Sequence, residues 1–225
     1  TILFTEGAIK IAAGTIKGVI ASDENTLVVS GGGTCTSPSC VDESATTTWN
    51  PPTDTMQNYI GVDIAELKNM ADYPSPYDQS LATETYNPGG QWGTVCVDPA
   101  GDGSAGDINQ RTCDNEAKIT YIDNVGKTAK LQANSNGRGI LVVKGNLETA
   151  GDFLWEGMIY IMGTFKVNGS VTVYGTVMVD GDNNNALDED VLIQSGGLNV
   201  FGSVAVASSV GDIVGLPKIV RWYRK

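Results

Sequence analysis

From residue 139 onward, apolar side chains recur in pairs two residues apart, and a glycine follows each pair. The first members are Leu141, Leu147, Phe153, Ile159, Phe165, Val171 and Val177. The second members are Val143, Thr149, Trp155, Ile161, Val167, Val173 and Val179, apolar in all but one case. Gly139, Gly145, Gly151, Gly157, Gly163, Gly169, Gly175 and Gly181 punctuate them at every sixth residue. Side chains that alternate with period 2 describe a strand with one face inward. A glycine after each short strand supplies a corner that residues with a side chain resist. A fixed repeat of this kind predicts an all-β chain wound as a β-solenoid.

The positions between the inward residues sharpen that prediction. ILVVK at 140–144, MIYIM at 158–162 and TVMVD at 176–180 are apolar at most outward positions too. The units between them, such as NLETA and TFKVN, carry polar residues there. If three six-residue units make one coil, the doubly apolar segments stack into a single face hidden from water. The coil is then roughly triangular, with about three strands per turn. That face needs a cover. An acidic capping box, Asp63 with Glu66, opens a helix over 63–72 whose Ile60, Ile64, Leu67 and Ala71 share one side. Pro74 and Pro76 stop it. Two or three turns are unstable alone, so the helix should dock. Together with residues 1–30 it is the expected cover; a partner subunit is the alternative.

The rest of the chain reads as part of one domain, 1–225. Residues 1–33 are a weaker copy of the repeat, with Gly7, Ile9, Ile11, Gly14, Ile16 and Gly18, and are expected to add to the same core. Residues 34–117 are loops around the helix, and 77–117 is too long for a simple connection; Trp92 should anchor it. Residues 118–210 form the main solenoid, with Ile119, Tyr121, Ala129 and Leu131 leading in, and 211–225 a C-terminal segment. After Gly181 the residues Asp182 to Glu189 interrupt the repeat. It is expected to resume in the same six-residue phase, with Leu192, Gly196, Leu198, Val200, Gly202, Val204 and Val206, so that the insertion is a loop thrown out from a corner with the register preserved.

A net charge of −12 argues against a nucleic-acid or anionic-membrane surface. Lys218, Arg221, Arg224 and Lys225 cluster at the end of the chain, and read as a solvated end before they read as a site for an acidic partner. Cys35, Cys40, Cys96 and Cys113 lie outside the repeat, and four cysteines allow three pairings. Local disulfides Cys35–Cys40 and Cys96–Cys113 are the simplest, each bracketing a polar loop. They imply an exported, extracellular protein. Zinc is the rival, without a C-x-x-C spacing or any histidine to support it. No apolar run approaches the roughly 20 residues of a membrane span. Because the sequence opens directly on strand-like residues, an export or anchoring segment is expected to have preceded it.

The absence of histidine removes Ser–His and Cys–His nucleophile systems, and with them the base used by hexapeptide-repeat acyltransferases. Paired acids could still serve a β-helix polysaccharide enzyme. The outward acids of the repeat, Glu148, Asp152, Glu156 and Asp180, are few and read as solvated surface. No catalytic residue or cofactor is expected, and the chain reads as a non-enzyme. Calcium is the one chemical candidate. Asp180, Asp182, Asn184 and Asp188 offer oxygen ligands at alternating positions, although the EF-hand pattern fails at Asn185 and Val191. Asp98, Asp102 and Asp107 form a weaker version. Against both stands the plain preference of Asp, Asn and Gly for turns.

Four features in order along the chain carry a resemblance. They are the strand pair GAIKIAAGTIKGVI, the helix DIAELKNMADYPSPY, the run GRGILVVKGNLETAGDFLWEGMIYIMGTFKVNGSVTVYGTVMV, and the ending PKIVRWYRK. Together they look like the PilX-type proteins associated with type IV pilus assembly, in their β-solenoid form. The resemblance implies a pilus-associated or cell-surface location, an N-terminal membrane helix absent from this sequence, and no active-site residues. The expected role is therefore a non-catalytic structural or adhesive component of a pilus or extracellular filament. Its expected partners are other filament subunits or further copies of itself, with host or surface glycans as further candidates. A self-polymerising filament subunit and a carbohydrate-binding or carbohydrate-active β-helix are the rivals.

Overall fold

Every described strand pairs parallel to its neighbours, as a chain that winds always in one sense requires. The fold is a computed structural model that describes residues 2–5, 8–17, 19–22, 27–29, 33–35, 61–76, 92–93, 95, 117–131, 135–181 and 189–201. Its strands are β1 (Ile2–Thr5), β2 (Ala8–Ile11), β3 (Thr15–Lys17), β4 (Val19–Ser22), β5 (Leu27–Val29), β6 (Thr34–Cys35) and β7 (Tyr73–Pro76). They continue as β8 (Lys118–Leu131), β9 (Ser135–Thr149), β10 (Phe153–Ile161), β11 (Phe165–Val167), β12 (Ser170–Val179), β13 (Glu189–Ile193) and β14 (Gly197–Phe201). One helix, α1 (Ile64–Met70), precedes β7. The molecule is a parallel β-solenoid with one short helix.

The pairing step is 18 residues. Trp155 lies opposite Gly137 on one side and Val173 on the other, and Phe165 lies opposite Leu147. Both members of each apolar pair point inward. Leu141, Val143, Leu147, Phe153, Trp155, Ile159, Ile161, Phe165, Val167, Val171, Val173, Val177 and Val179 make one continuous core. An 18-residue step also stacks glycine on glycine. Gly139, Gly157 and Gly175 all have positive φ, and a Cβ on Gly157 or Gly175 would run into the carbonyl oxygen of the glycine one turn earlier. At the next corner side-chain amides do the joining. Asn124 Nδ2 donates to the Asn146 carbonyl (2.9 Å), and Asn146 Oδ1 accepts from the Thr164 N–H (2.9 Å).

The polar member of the apolar pairs is a local fault. Thr149 is fully buried between Leu131 and Val167, and its hydroxyl has no partner among the described residues. A buried hydroxyl left unbonded costs about 1–3 kcal/mol, and Val has the same shape. Thr149→Val is expected to raise unfolding stability by about 1 kcal/mol, read as a higher denaturant midpoint at unchanged slope.

Two expectations are corrected by the register. The described strands of residues 1–30 do join the core, through Ile9, Ile11 and Ile16, but none of these described residues belongs to the cluster that covers the apolar face. They stack on the end of the coil instead: Leu3 lies opposite Val177, Ile9 opposite Val191 and Ile16 opposite Leu198. A second turn, β4, β5 and β6, follows on top of them. After the interruption, Val191 and Ile193 point into the core and Leu192 faces outward opposite Lys166. In Val191-Leu192-Ile193 all three residues are apolar, so alternation alone does not reveal the phase; stacking on Phe165 decides it. Phe165 pairs with Val191 across an eight-residue insertion, whereas Val171 pairs with Leu198 one residue later than that register requires. The extra residue sits at the Ser195–Gly197 corner, where Gly196 has φ of 80°.

Candidate functional surface

The doubly apolar segments do form one face, and the helix covers it. Ile140, Val142, Met158, Tyr160 and Met178 join Ile119 and Tyr121 in a second hydrophobic cluster on the outer side of the wall. Val62 and Leu67 close over it, with Ile64 and Ala71 at the margin. Ile119 and Tyr121 therefore face outward under the helix, while Thr120 and Ile122 take the inward positions of that turn.

The capping box is complete: the Glu66 N–H donates to Asp63 Oδ1 (2.7 Å) and the Asp63 N–H to Glu66 Oε2 (3.2 Å). Helix α1 ends at Met70, before the prolines, and Tyr73–Pro76 is not a mere stop but an edge strand on Thr120–Asp123. An edge position suits Pro74 and Pro76, which have no N–H to offer a further strand. Lys68 Nζ donates to Asp123 Oδ2 (2.6 Å) and lies 5.5 Å from the Tyr121 ring centre. Asp72 accepts from the Ile119 N–H (2.9 Å) and pairs with Lys118 (3.6 Å). Among the described residues only Met70 and Val125 are large apolar side chains left exposed, so this face is not offered bare to a partner.

The Lys68–Asp123–Tyr121 group gives the cover a pH limit. The Asp123 hydrogen bond and its charge raise the Lys68 pKa above its usual 10.5. Burial, then the Asp123 charge, raise the Tyr121 phenol above its usual 10.0. A folded-state pKa above the unfolded value gives stability that is complete below the unfolded value and lost as pH rises through the folded one. Stability from this group is expected to be flat from neutral pH to about pH 9 and to fall above that. Lys68→Met should shrink the alkaline loss, checked by denaturation midpoints across that range.

The remaining candidate residues are not brought together. Asp180 follows β12 at a corner, where its carboxylate accepts from the Tyr160 hydroxyl (2.6 Å). Asp182, Asn184 and Asp188, like Asp98, Asp102 and Asp107, lie outside the described residues, so the calcium reading keeps only its sequence support. If that loop holds calcium, a chelator should lower the melting temperature, and an unchanged melt removes the reading. Cys40, Cys96 and Cys113 also lie outside the described residues, as do Lys218, Arg221, Trp222, Arg224 and Lys225. Cys35 closes β6, opposite Ile16. Trp92 does anchor its insertion: it is fully buried in the core, its carbonyl accepts from the Arg138 N–H (2.8 Å), and its ring meets Trp155 edge-on at 6.3 Å.

The outward acids divide. Glu148 sits between Lys130 (3.9 Å) and Lys166 (3.7 Å) and accepts from Asn168 Nδ2 (3.1 Å), a cross-strand charge ladder on the second wall. Glu156, read from the sequence as solvated surface, is fully buried. It lies opposite Arg138, itself 6% exposed, and opposite Tyr174 on the third wall, and all three are engaged in further interactions. Tyr174 stacks on Phe201 at 5.5 Å. The sequence signal for that burial was available: Arg138, Glu156 and Tyr174 recur at the 18-residue spacing.

Among the described residues no three His, Cys, Asp or Glu side chains converge as metal ligands, and no helix is long and apolar enough to cross a membrane. No family model, curated protein or solved structure matches the chain.

Proposed function

We propose that the chain is a non-catalytic structural or adhesive component of a type IV pilus system or other extracellular filament. One observation supports this reading above the others. Among the described strands the three walls form a parallel ladder over a single core, from Tyr73–Pro76 at one end to Val19–Ser22 at the other, with its outer apolar face covered in cis. Such a rod transmits load along its axis and presents whatever its corners carry, because each turn contacts only its neighbours. The PilX-type sequence resemblance supplies the pilus context, and the cysteine loops supply the exported one, with disulfides Cys35–Cys40 and Cys96–Cys113 as part of the proposal. In cells that produce both this chain and type IV pili, the tagged chain is expected to sediment with sheared pili. Recovery wholly in the pilus-free fraction would refute the reading.

A further inference from the structure

Inside the rod, each strand of the helix-covered wall shares its backbone groups between two neighbours, as Met158 does between Ile140 and Thr176. Strand β8 has one such neighbour in β9. Its other edge is of the same kind, a row of backbone donors and acceptors that templates a further parallel strand. Every turn of this chain is built to pair with such a row, so a turn of a second copy is the strand that fits it.

The row is already closed. Along a strand, alternate residues turn their N–H groups to the same edge. The Ile119 N–H donates to the Asp72 carboxylate (2.9 Å). Tyr121 and Asp123, the next residues of that phase, lie against β7, which sets Tyr73 opposite Thr120, Pro74 opposite Tyr121, Ser75 opposite Ile122 and Pro76 opposite Asp123. Residues 72–76 thus occupy three successive places of the edge.

A strand laid on an edge ordinarily becomes the new edge. Here it does not. A proline nitrogen carries no hydrogen, so β7 can donate to β8 only through Tyr73 and Ser75. The alternate places, turned away from β8, belong to Pro74 and Pro76. Along 73–76 the far edge therefore offers carbonyls and no N–H, whereas a further strand needs both.

The stop is continuous with the cover. Helix α1 ends at Met70 and β7 begins at Tyr73, so one segment lies over the face of the wall with Val62 and Leu67 and closes its edge with residues 72–76. Lys68 ties the two together, because its partner Asp123 (2.6 Å) is the β8 residue opposite Pro76.

We propose that residues 72–76 are a built-in stop to self-association, which holds a second copy of this chain off the β8 edge where it would continue the parallel stack. This stop follows from backbone geometry alone and does not rest on the pilus reading. Its decisive feature is two missing donors, and returning them opens this end of the rod to another copy.

Pro74→Val combined with Pro76→Val returns both N–H groups, and Val suits a strand. Sedimentation compares the full-length double variant with the unaltered protein over a concentration series, with a thermal melt of each. The expected result is a cooperatively melting variant whose weight-average mass climbs with concentration to at least twice that of the unaltered protein. Equal masses at every concentration overturn the proposal. Amide exchange on the unaltered protein tests the same closure without a variant, and decides it should the variant fail to melt cooperatively. The Ile119, Tyr121 and Asp123 N–H groups are expected to exchange as slowly as those of Leu141 and Val143 in β9. Exchange at the rate of an open strand edge overturns the proposal as well.

Discussion

Trp155→Ala is expected to cost about 3–5 kcal/mol of unfolding free energy, enough to remove much of the 5–15 kcal/mol typical of a folded domain. Trp155 is fully buried, and its size is accommodated by one specific gap. Its neighbour one turn earlier is Gly137, and a Cβ there would run into the Trp155 ring. The indole spreads over that glycine, meets Trp92 edge-on at 6.3 Å and Phe153 at 6.0 Å, and donates from Nε1 to the Gly139 carbonyl (3.2 Å). Truncation would empty the gap, expose the underside of Trp92, and free a buried carbonyl. Because Trp92 ties the 77–117 insertion to the core, Trp155→Phe should retain packing but lose the Nε1 bond, at about 1–2 kcal/mol. Urea denaturation followed by far-ultraviolet dichroism orders the three proteins. A loss below about 1 kcal/mol for Trp155→Ala would contradict the placement of this ring.

Gly157→Ala should be almost as damaging, although it adds a single methyl group. The residue has φ of 144°, which costs a side-chain-bearing residue about 1–3 kcal/mol. Its Cβ would also strike the Gly139 carbonyl oxygen, backbone that can move only if the turn below moves too. Overpacking of this kind adds about 1–3 kcal/mol, and a total of about 3–5 kcal/mol is expected. Gly126→Ala is the control. Its φ is also positive, at 70°, but nothing lies within 4 Å of the added carbon, so about 1 kcal/mol is expected. Equal midpoints for the two variants would show that the stacked glycine column is not what fixes the corner.

The parts of this fold legible in the sequence are those governed by short-range rules. The inward pairs from Leu141 to Val179 and the capping box of α1 each depend on residues a few positions apart, and these stand where the pattern puts them. The covered wall was legible for a different reason: Ile140, Met158 and Met178 are apolar where a solvated strand would be polar. Placement of residues 2–35 was not legible. Strands of the same hexad pattern are interchangeable partners, so composition cannot say which edge a given strand joins. Nor could the fate of Glu156 be read from its own type, since its burial depends on what lies across the third wall. Tyr73–Pro76 was hidden by its prolines, which mark a helix stop and an outermost strand alike.

The partnership of Leu3 with Val177 also sets an order of events as the chain is made. Strands β1 to β3 leave the ribosome about 170 residues before their partners in the body, a delay of roughly 10–35 s at 5–20 residues per second. The middle of the rod can wind while synthesis continues, since each of its turns needs only the preceding 18 residues. The N-terminal strands must wait, with Ile9, Ile11 and Ile16 still unburied. They are translated before the body they join and placed after it.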